Sequence, residues 1–408
     1  MKEEMKFYVE SYGCTMNQGE TEMIAEDLER QGHVEVDSPD EADMSLIGTC
    51  VVIKKTEERM KRRIEELNRK SSEVVIAGCL SSTKGKEIEQ RCPNVDLISP
   101  SEVEISKGQL KSKEDSTIGT IPICSGCVGN CSYCITRLAR GELESRPIDE
   151  IKDRFESLLS YSVKEIRLTS QDSALYGKDL STDLIELLEE LLKIEGDHRI
   201  RIGMMNVDTL QPIRSELMDM MEDDRIYKFL HLPLQSGSDN ILKKMKRNYT
   251  TKRWIKTAEE FRERFPNLTL STDIIVGFPG ETEEDFQKTK STVKKVRPDV
   301  INVTRFSPRE GTEAAEMDEQ IHSRVKKERS KQMTELRFDI SRDINETYVG
   351  KNEEILVLEE GKGDSLKGRM DNYKVVVLKG KSTDLIGERK EVKIKKAEDI
   401  YLVGEVIS

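Results

Sequence analysis

Three cysteines at a three-then-two spacing, Cys127-Val-Gly-Asn-Cys131-Ser-Tyr-Cys134, constrain this chain more than any other feature. They lie in a Gly/Ser-containing loop that can wrap three thiolates around one compact inorganic centre. Iron–sulfur clusters are held by Cys thiolates, and a cubane cluster takes four such ligands, one on each iron. Three ligands leave one iron open to a small molecule. The strand Ile121-Pro122-Ile123-Cys124 precedes the loop, so the loop sits at the strand's C-terminal end. Cys124 also raises a competing reading, a zinc site of four thiolates. Against it, four ligands packed into residues 124–134 lack the long insert that separates the two halves of a zinc ribbon.

Upstream of the loop, a strand–loop–helix pattern repeats three times. Lys6–Glu10 reads as a strand, Ser11–Asn17 as a turn-rich loop and Glu20–Gln31 as a helix stopped by Gly32. Met44–Ile47 is a second strand, followed by a helix with Met60, Ile64 and Leu67 on one face. Glu73–Ala77 is a third, and its helix leads to Cys92-Pro93. Such a pattern predicts a parallel sheet with crossover helices, and ligands gather at the carboxyl ends of its strands. Each strand runs into a loop with a cysteine: Cys14, Cys50 and Cys79. Any one of them alone reads as a buried structural thiol. All three at one sheet edge make a three-thiolate site. Cys92 falls outside this pattern and is taken as structural.

Residues 101–116 are polar and aperiodic, as expected of a linker. Beyond them, strands are predicted at Thr120–Ile123, Glu165–Thr169, Arg199–Gly203, Lys228–Leu232, Thr269–Val276 and Val300–Thr304. The clearest helices between them are Asp183–Ile194, Asp239–Met245, Lys252–Arg264 and Glu283–Val296. Such βα units predict a partial (β/α)6 TIM-like barrel with its active site at the C-terminal strand ends. A long charged helix, His322–Asn345, closes this region. The pattern then changes to short alternating strands at Glu354–Glu359, Leu366–Met370, Lys374–Leu378 and Arg389–Ala397, a small OB-like β-barrel.

Composition narrows the partners. A net charge of −12 argues against whole-protein attraction to nucleic acid, so RNA contact needs local basic patches. No run approaches the ~18 apolar residues of a membrane span. The start, Met1-Lys2-Glu3-Glu4-Met5, is unlike a signal or transit peptide. The expectation is a cytoplasmic protein, a monomer without membrane contact, whose eight cysteines serve as metal or redox ligands before disulfides.

With these residues in view, the chain resembles the radical S-adenosylmethionine (SAM) methylthiotransferases. The strings that carry the resemblance are Gly126-Cys127…Cys131-Ser-Tyr133-Cys134…Ala139-Arg140-Gly141, Gly13-Cys14-Thr15-Met16-Asn17, Thr49-Cys50 and Ala77-Gly78-Cys79-Leu80. Further along come His231-Leu-Pro-Leu-Gln235-Ser-Gly-Ser-Asp239 and Asp273-Ile-Ile-Val-Gly277-Phe-Pro-Gly-Glu281. The tail string Gly368-Arg-Met-Asp-Asn-Tyr373 resembles the RNA-binding TRAM domain. The resemblance implies an N-terminal methylthiotransferase α/β domain (1–110), a radical SAM domain (111–345) and a TRAM domain (346–408).

It also implies two [4Fe–4S] clusters, one on Cys127, Cys131 and Cys134 and an auxiliary one on Cys14, Cys50 and Cys79. The first would bind SAM at its open iron and cleave it to methionine and a 5′-deoxyadenosyl radical. The auxiliary cluster would carry sulfur, and a second SAM would supply the methyl group. The reaction needs an electron donor and a sulfur donor, which the sequence does not name. The SAM-contact candidates are Tyr133, Gln171, Asp172, Asn206, Gln235 and Gly277. The superfamily's usual Gly-Gly-Glu is absent at Thr169-Ser-Gln171-Asp172. Gln171, Asp172 and Asn206 read equally well as turn or capping residues. His231 reads as a core histidine, and Asp273 equally as a loop cap.

Three substrates compete: isopentenyladenosine in tRNA, threonylcarbamoyladenosine in tRNA, and an aspartate of a ribosomal protein. Gly13–Glu20, Ser125-Gly126-Cys127 and Thr169–Gly177 look most like the archaeal and eukaryotic threonylcarbamoyl branch. The expected activity is methylthiolation of N6-threonylcarbamoyladenosine beside the anticodon of tRNA. Arg140 or Arg305 could supply a cation for the substrate's carboxylate. A non-catalytic iron–sulfur RNA-binding protein is the alternative from another class.

Overall fold

The computed structural model describes residues 4–103, 116–380 and 382–407. Most of the expected linker, the expected boundary between the first two domains and the first three residues lie outside the described residues. The chain divides into two compact units. The first comprises Met1–Ser162, Ile166–Ile194 and Arg309–Ala315; the second comprises Val163–Glu165, Glu195–Pro308 and Glu316–Ser408.

The first unit is built on a five-stranded sheet, β1 (Lys6–Ser11), β2 (Val34–Glu35), β3 (Met44–Thr49), β4 (Glu73–Gly78) and β5 (Val95–Ile98). Its order is β2-β1-β3-β4-β5, and every pairing is parallel. β3 is buried throughout, as suits a central strand covered on both faces. The crossover helices are α1 (Thr15–Arg30), α2 (Lys54–Leu67) and α3 (Cys79–Arg91). Met60, Ile64 and Leu67 of α2 pack with Val74, Ile76 and Leu80 in one core cluster. Periodicity alone does not reveal β2, which is two residues long, or β5, which is four.

α1 begins five residues before its expected start, directly after Cys14. The segment Thr15–Gly19 carries weak helix formers, and packing overrides them. Gly19 lies against β6 (Ile118–Pro122), where a Cβ would stand 2.6 Å from Thr120 Cγ2. Further along α1, Glu26 pairs with Arg154 of the helix Ile148–Ser160, at 2.5 Å and 2.8 Å. Both side chains are fully buried.

The second unit contains the parallel strands Phe229–His231, Thr269–Val276 and Val300–Arg305, adjacent in that order. The helix Ser323–Glu346 follows. Five strands then close a barrel: Asn352–Glu360, Ser365–Met370, Val375–Lys379, Leu402–Val406 and Arg389–Ala397 in spatial order. Leu402–Val406, not expected from the pattern, is the strand that closes it. It pairs parallel with Val375–Lys379 and antiparallel with Arg389–Ala397.

The turn Asp371–Lys374 fastens this barrel to the rest of the unit. Tyr373, at φ 67°, packs on Tyr227 and Phe229 with ring centroids 4.9 Å and 4.8 Å away. Arg369 stacks on it at 4.1 Å. Lys374 is buried against Asp299 at 2.9 Å, and Asn372 donates to Asn267 O and Tyr348 Oη. Lys374 and Arg369 thus serve the docking of the barrel. Lys362 and Lys379 remain exposed.

Fully buried His198 makes the second unit sensitive to acid. Burial and the charge of Arg225 push its pKa down to about 4, while Asp197 and Asp223 pull the other way. In the unfolded chain it titrates near 6.5. The unfolded state therefore takes up the proton first. This contribution to stability is fully present above pH ~6.5 and falls by up to about 3 kcal/mol as the pH drops towards 4. Melting temperature followed across that window should decline for the native chain, and His198→Gln should flatten the decline.

Candidate active site

In the first unit, three loops at the carboxyl edge of the five-stranded sheet bring Cys14, Cys50 and Cys79 together. Two glycines permit the approach. Gly13 sits at φ 117°, where a Cβ would meet Asn17 Nδ2 at 2.5 Å and Cys50 Cβ at 2.9 Å. Gly78 sits at φ 91°, 2.6 Å from Thr49 O by the same measure. Only glycine adopts such backbone at no steric cost. Polar side chains then tie the loops. Asn17 Nδ2 donates to Thr49 O at 2.7 Å, and Thr49 Oγ1 donates to Ala77 O at 2.5 Å.

The thiols run from exposed (Cys14) through half-buried (Cys50) to buried (Cys79). Burial pushes the Cys79 thiol up to about 11, with Cys14 and Cys50 adding to the rise and Arg140 opposing it. Three thiols that repel one another's ionisation lose that penalty when a cationic metal centre binds them.

A second trio lies in the loop before the helix α4 (Ile135–Arg140). Gly129 N–H donates to Cys127 Sγ at 3.2 Å, and Cys134 N–H to Cys131 O at 3.1 Å. Arg137 Nη1 donates to Gly129 O at 2.5 Å. The segment Arg309–Ala315 returns to this loop, with Ala314 N–H donating to Ser132 O at 2.8 Å. Farther along the segment's other side, buried Arg309 pairs with Glu57 of α2. Burial raises the Cys127 thiol to about 11, with Asp172, Cys131 and Cys134 adding to the effect.

Cys124 does not join this loop. It is buried and pairs with Ser145 in a two-stranded ladder. Among the described residues no three His, Cys, Asp or Glu side chains converge tightly enough for one ion. A cluster spreads its ligands over separate irons and takes a wider spacing than a single ion does.

The SAM-contact candidates divide between the units. In the first, Tyr133 and Gln171 are half-buried and Asp172 is buried. Gln171 Nε2 donates to Met16 Sδ, while its Oε1 is buried with no donor among the described residues. Asp172 precedes the turn Ser173–Leu175 without capping it through its side chain. In the second unit, Asn206 likewise makes no side-chain cap and is bonded by Arg247. Gln235 holds a left-handed φ of 63°, with a buried Oε1 that also lacks a donor among the described residues. A non-glycine residue in that region is strained and points to a functional constraint. Gly277, at φ 72°, is explained by packing, since a Cβ there would meet Lys326 Cγ at 2.4 Å.

Sequence reasoning missed a polar row across the parallel strands of the second unit. His231 Nε2 lies 2.9 Å from Asp273 Oδ2, and Asn302 Nδ2 donates to Asp273 Oδ1 at 2.9 Å. Burial opposes ionisation of Asp273, but His231 and Asn302 hold its carboxyl below the usual range. Asp273 thus orients His231 and does not cap its loop. Arg140 also differs from expectation. It is buried in a two-pronged pair with Glu20 and is not a free cation. Arg305, at the end of its strand, is exposed.

Three family models match the chain: an uncharacterised protein family, UPF0004, over residues 6–99, the radical SAM superfamily over 121–293, and the TRAM domain over 346–407. The chain is 41% identical to a probable threonylcarbamoyladenosine tRNA methylthiotransferase of Methanocaldococcus jannaschii, over 99% of this chain and 97% of that protein.

The chain belongs to the radical SAM tRNA methylthiotransferases.

It is also 34% identical to a tRNA-2-methylthio-N(6)-dimethylallyladenosine synthase of Thermosipho africanus, over 99% of each. Among solved structures, the radical SAM methyltransferase TsrM of Kitasatospora setae matches with a TM-score of 0.55 at 13% identity, covering 73% of this chain and 72% of that one. That likeness shows the fold. A radical SAM methylthiotransferase carries a [4Fe–4S] cluster and SAM, and the soft thiolate sets described above fit iron–sulfur ligation.

Proposed function

We propose that this methylthiotransferase converts N6-threonylcarbamoyladenosine beside the anticodon of tRNA to its 2-methylthio derivative, with two [4Fe–4S] clusters. The observation that carries the two-cluster reading is the pair of separate three-thiol sites in one compact unit. Cys127, Cys131 and Cys134 hold the cluster at which SAM binds, and Cys14, Cys50 and Cys79 hold the auxiliary one. When bound, these groups and SAM supply hydrogen-atom abstraction from the substrate carbon and the methylated sulfur placed there.

The chain's own residues bind and orient. Gly13, Gly78, Asn17 and Thr49 fix the auxiliary loops. Gly129, Arg137 and the returning Ala314 fix the radical loop. In the unit that holds both thiol trios, the unsatisfied acceptor Gln171 Oε1 suits an amine N–H donor such as those of SAM, and Gln235 Oε1 in the second unit is an unsatisfied acceptor of the same kind. Tyr133, Asp172, Asn206 and Gly277 complete the candidate set, with Gly277 assigned to backbone geometry. Arg305 is the exposed cation left for a carboxylate-bearing substrate, since Arg140 is committed to Glu20.

The threonylcarbamoyl substrate is supported by relatives of that name at 33–41% identity from five archaea and at 32% from Xenopus laevis. The dimethylallyladenosine enzymes at 34% favour the second reading. Nucleoside mass spectrometry of tRNA from a strain lacking the gene separates them. Loss of the 2-methylthio group from threonylcarbamoyladenosine, with any dimethylallyl derivative untouched, is the expected result. Persistence of that group removes the assignment.

A further inference from the structure

Arg140 belongs to the helix that starts right after Cys134, yet its guanidinium lies among the loops of the other thiol trio. Its side chain is 1% exposed and that of Glu20 is 2%. Nη1 donates to Glu20 Oε1 at 2.6 Å and to Ser125 Oγ at 3.2 Å. Nη2 donates to Glu20 Oε2 and to Asn17 Oδ1, each at 2.7 Å. The same Asn17 oxygen faces Cys79 Sγ at 3.9 Å. The guanidinium charge opposes the burial-driven rise of the Cys79 and Cys50 thiols.

One feature sets this ion pair apart from the other pair buried on α1, Glu26–Arg154: Arg140 shares the Asn17 oxygen with the Cys79 thiol and so stands among the thiol loops. Its Nε–H, like that of Arg154, is buried with no partner among the described residues. Glu20 and Asn17 take both Nη groups, so Nε is the donor left over. A buried unmet donor beside three potential thiolates calls for an anionic acceptor held among them.

We propose that Arg140 is a positioning residue for the auxiliary cluster, holding its negative charge among Cys14, Cys50 and Cys79 and raising its reduction potential. The inference rests on the two-cluster reading above. A cluster held by thiolates is an anion, and taking up an electron adds negative charge. Cluster potentials follow net charge and hydrogen bonds to the sulfurs. Glu20 offsets the net charge of Arg140, so the arginine acts through its N–H donors and the local field of its guanidinium, which stays charged at any working pH. Its placement also links the sites. The helix anchored at Cys134 carries the cation that serves the cluster on the other loops.

The test uses the full chain with Cys127, Cys131 and Cys134 all replaced by alanine, so that only the auxiliary cluster is read. Arg140→Met is combined with Glu20→Gln, which avoids leaving a buried carboxylate unpaired. Midpoint potential is followed by the electron paramagnetic resonance signal of the reduced cluster. The expected result is a more negative midpoint, at least about tenfold less reduced cluster at a fixed potential, or 59 mV for one electron. Arg140→Lys with Glu20 intact should recover part of that shift. Selective loss of the auxiliary iron from a chain that melts normally supports the proposal as well. An unchanged midpoint at unchanged iron overturns it, and so does iron loss that merely accompanies unfolding. If the Cys127/Cys131/Cys134 replacement leaves no iron at all, the two-cluster reading itself has failed. If it leaves about four atoms per chain and the midpoint does not move, only the role of Arg140 has failed.

Discussion

Replacing Cys79 by serine is expected to leave SAM cleavage running and to abolish methylthiolated product. Reconstituted under anaerobic conditions with dithionite, the Cys79→Ser chain should still release 5′-deoxyadenosine, while its iron falls from about eight to about four atoms. Cys131→Ala should keep about four irons but lose both 5′-deoxyadenosine and methylthiolated product, because the product needs the radical. The expectation follows from the geometry. The auxiliary loops are fixed by Gly13, Gly78, Asn17 and Thr49, and the radical loop by Gly129, Arg137 and Ala314. Apart from Arg140, these two groups of supports are distinct. Loss of 5′-deoxyadenosine release from Cys79→Ser, in a chain that retains its native melting temperature, would show the two sites to be one.

The second large effect concerns stability. Glu26→Ala should lower unfolding free energy by about 3–5 kcal/mol, because it leaves Arg154 as an uncompensated buried cation. At roughly 2–4 °C per kcal/mol for a unit of this size, the melting temperature should fall on the order of 10 °C. The pair joins α1 to the helix Ile148–Ser160, so its loss loosens the support of α1, the helix that begins at Cys14. The double replacement Glu26→Leu with Arg154→Met removes both charges and should recover most of the loss. A double variant as unstable as Glu26→Ala would show that packing volume, rather than an orphaned charge, is what the pair supplies.

Much of this architecture is legible in the sequence because its signals are local. The strands Glu165–Thr169, Thr269–Val276 and Arg389–Ala397 and the helix Glu283–Val296 fall where periodicity predicts them. The elements it misses are set by distant contacts. α1 extends back to Cys14 because Gly19 packs on Thr120, and Leu402–Val406 is a strand because the barrel needs closing. At the site, the Gly-Cys pairs at residues 13–14 and 78–79 mark the left-handed turns that let loops converge. Nothing local indicates that Glu20 meets Arg140 or that Asp273 meets His231, since those partners are joined only by the fold. The left-handed backbone of Gln235 is equally silent, because no residue type advertises it.

The return of Arg309–Ala315 to the radical loop also carries a consequence for biosynthesis. A chain made from its N-terminus has every residue of the auxiliary site, Arg140 included, soon after Gly141 leaves the ribosome. The radical loop is then already synthesised but still lacks Ala314, which grips Ser132, and Arg309, which anchors that grip on Glu57. Long-range closures of this kind come late in folding. On the two-cluster reading, every residue of the auxiliary site is therefore synthesised before the segment that closes on the loop of Cys127, Cys131 and Cys134.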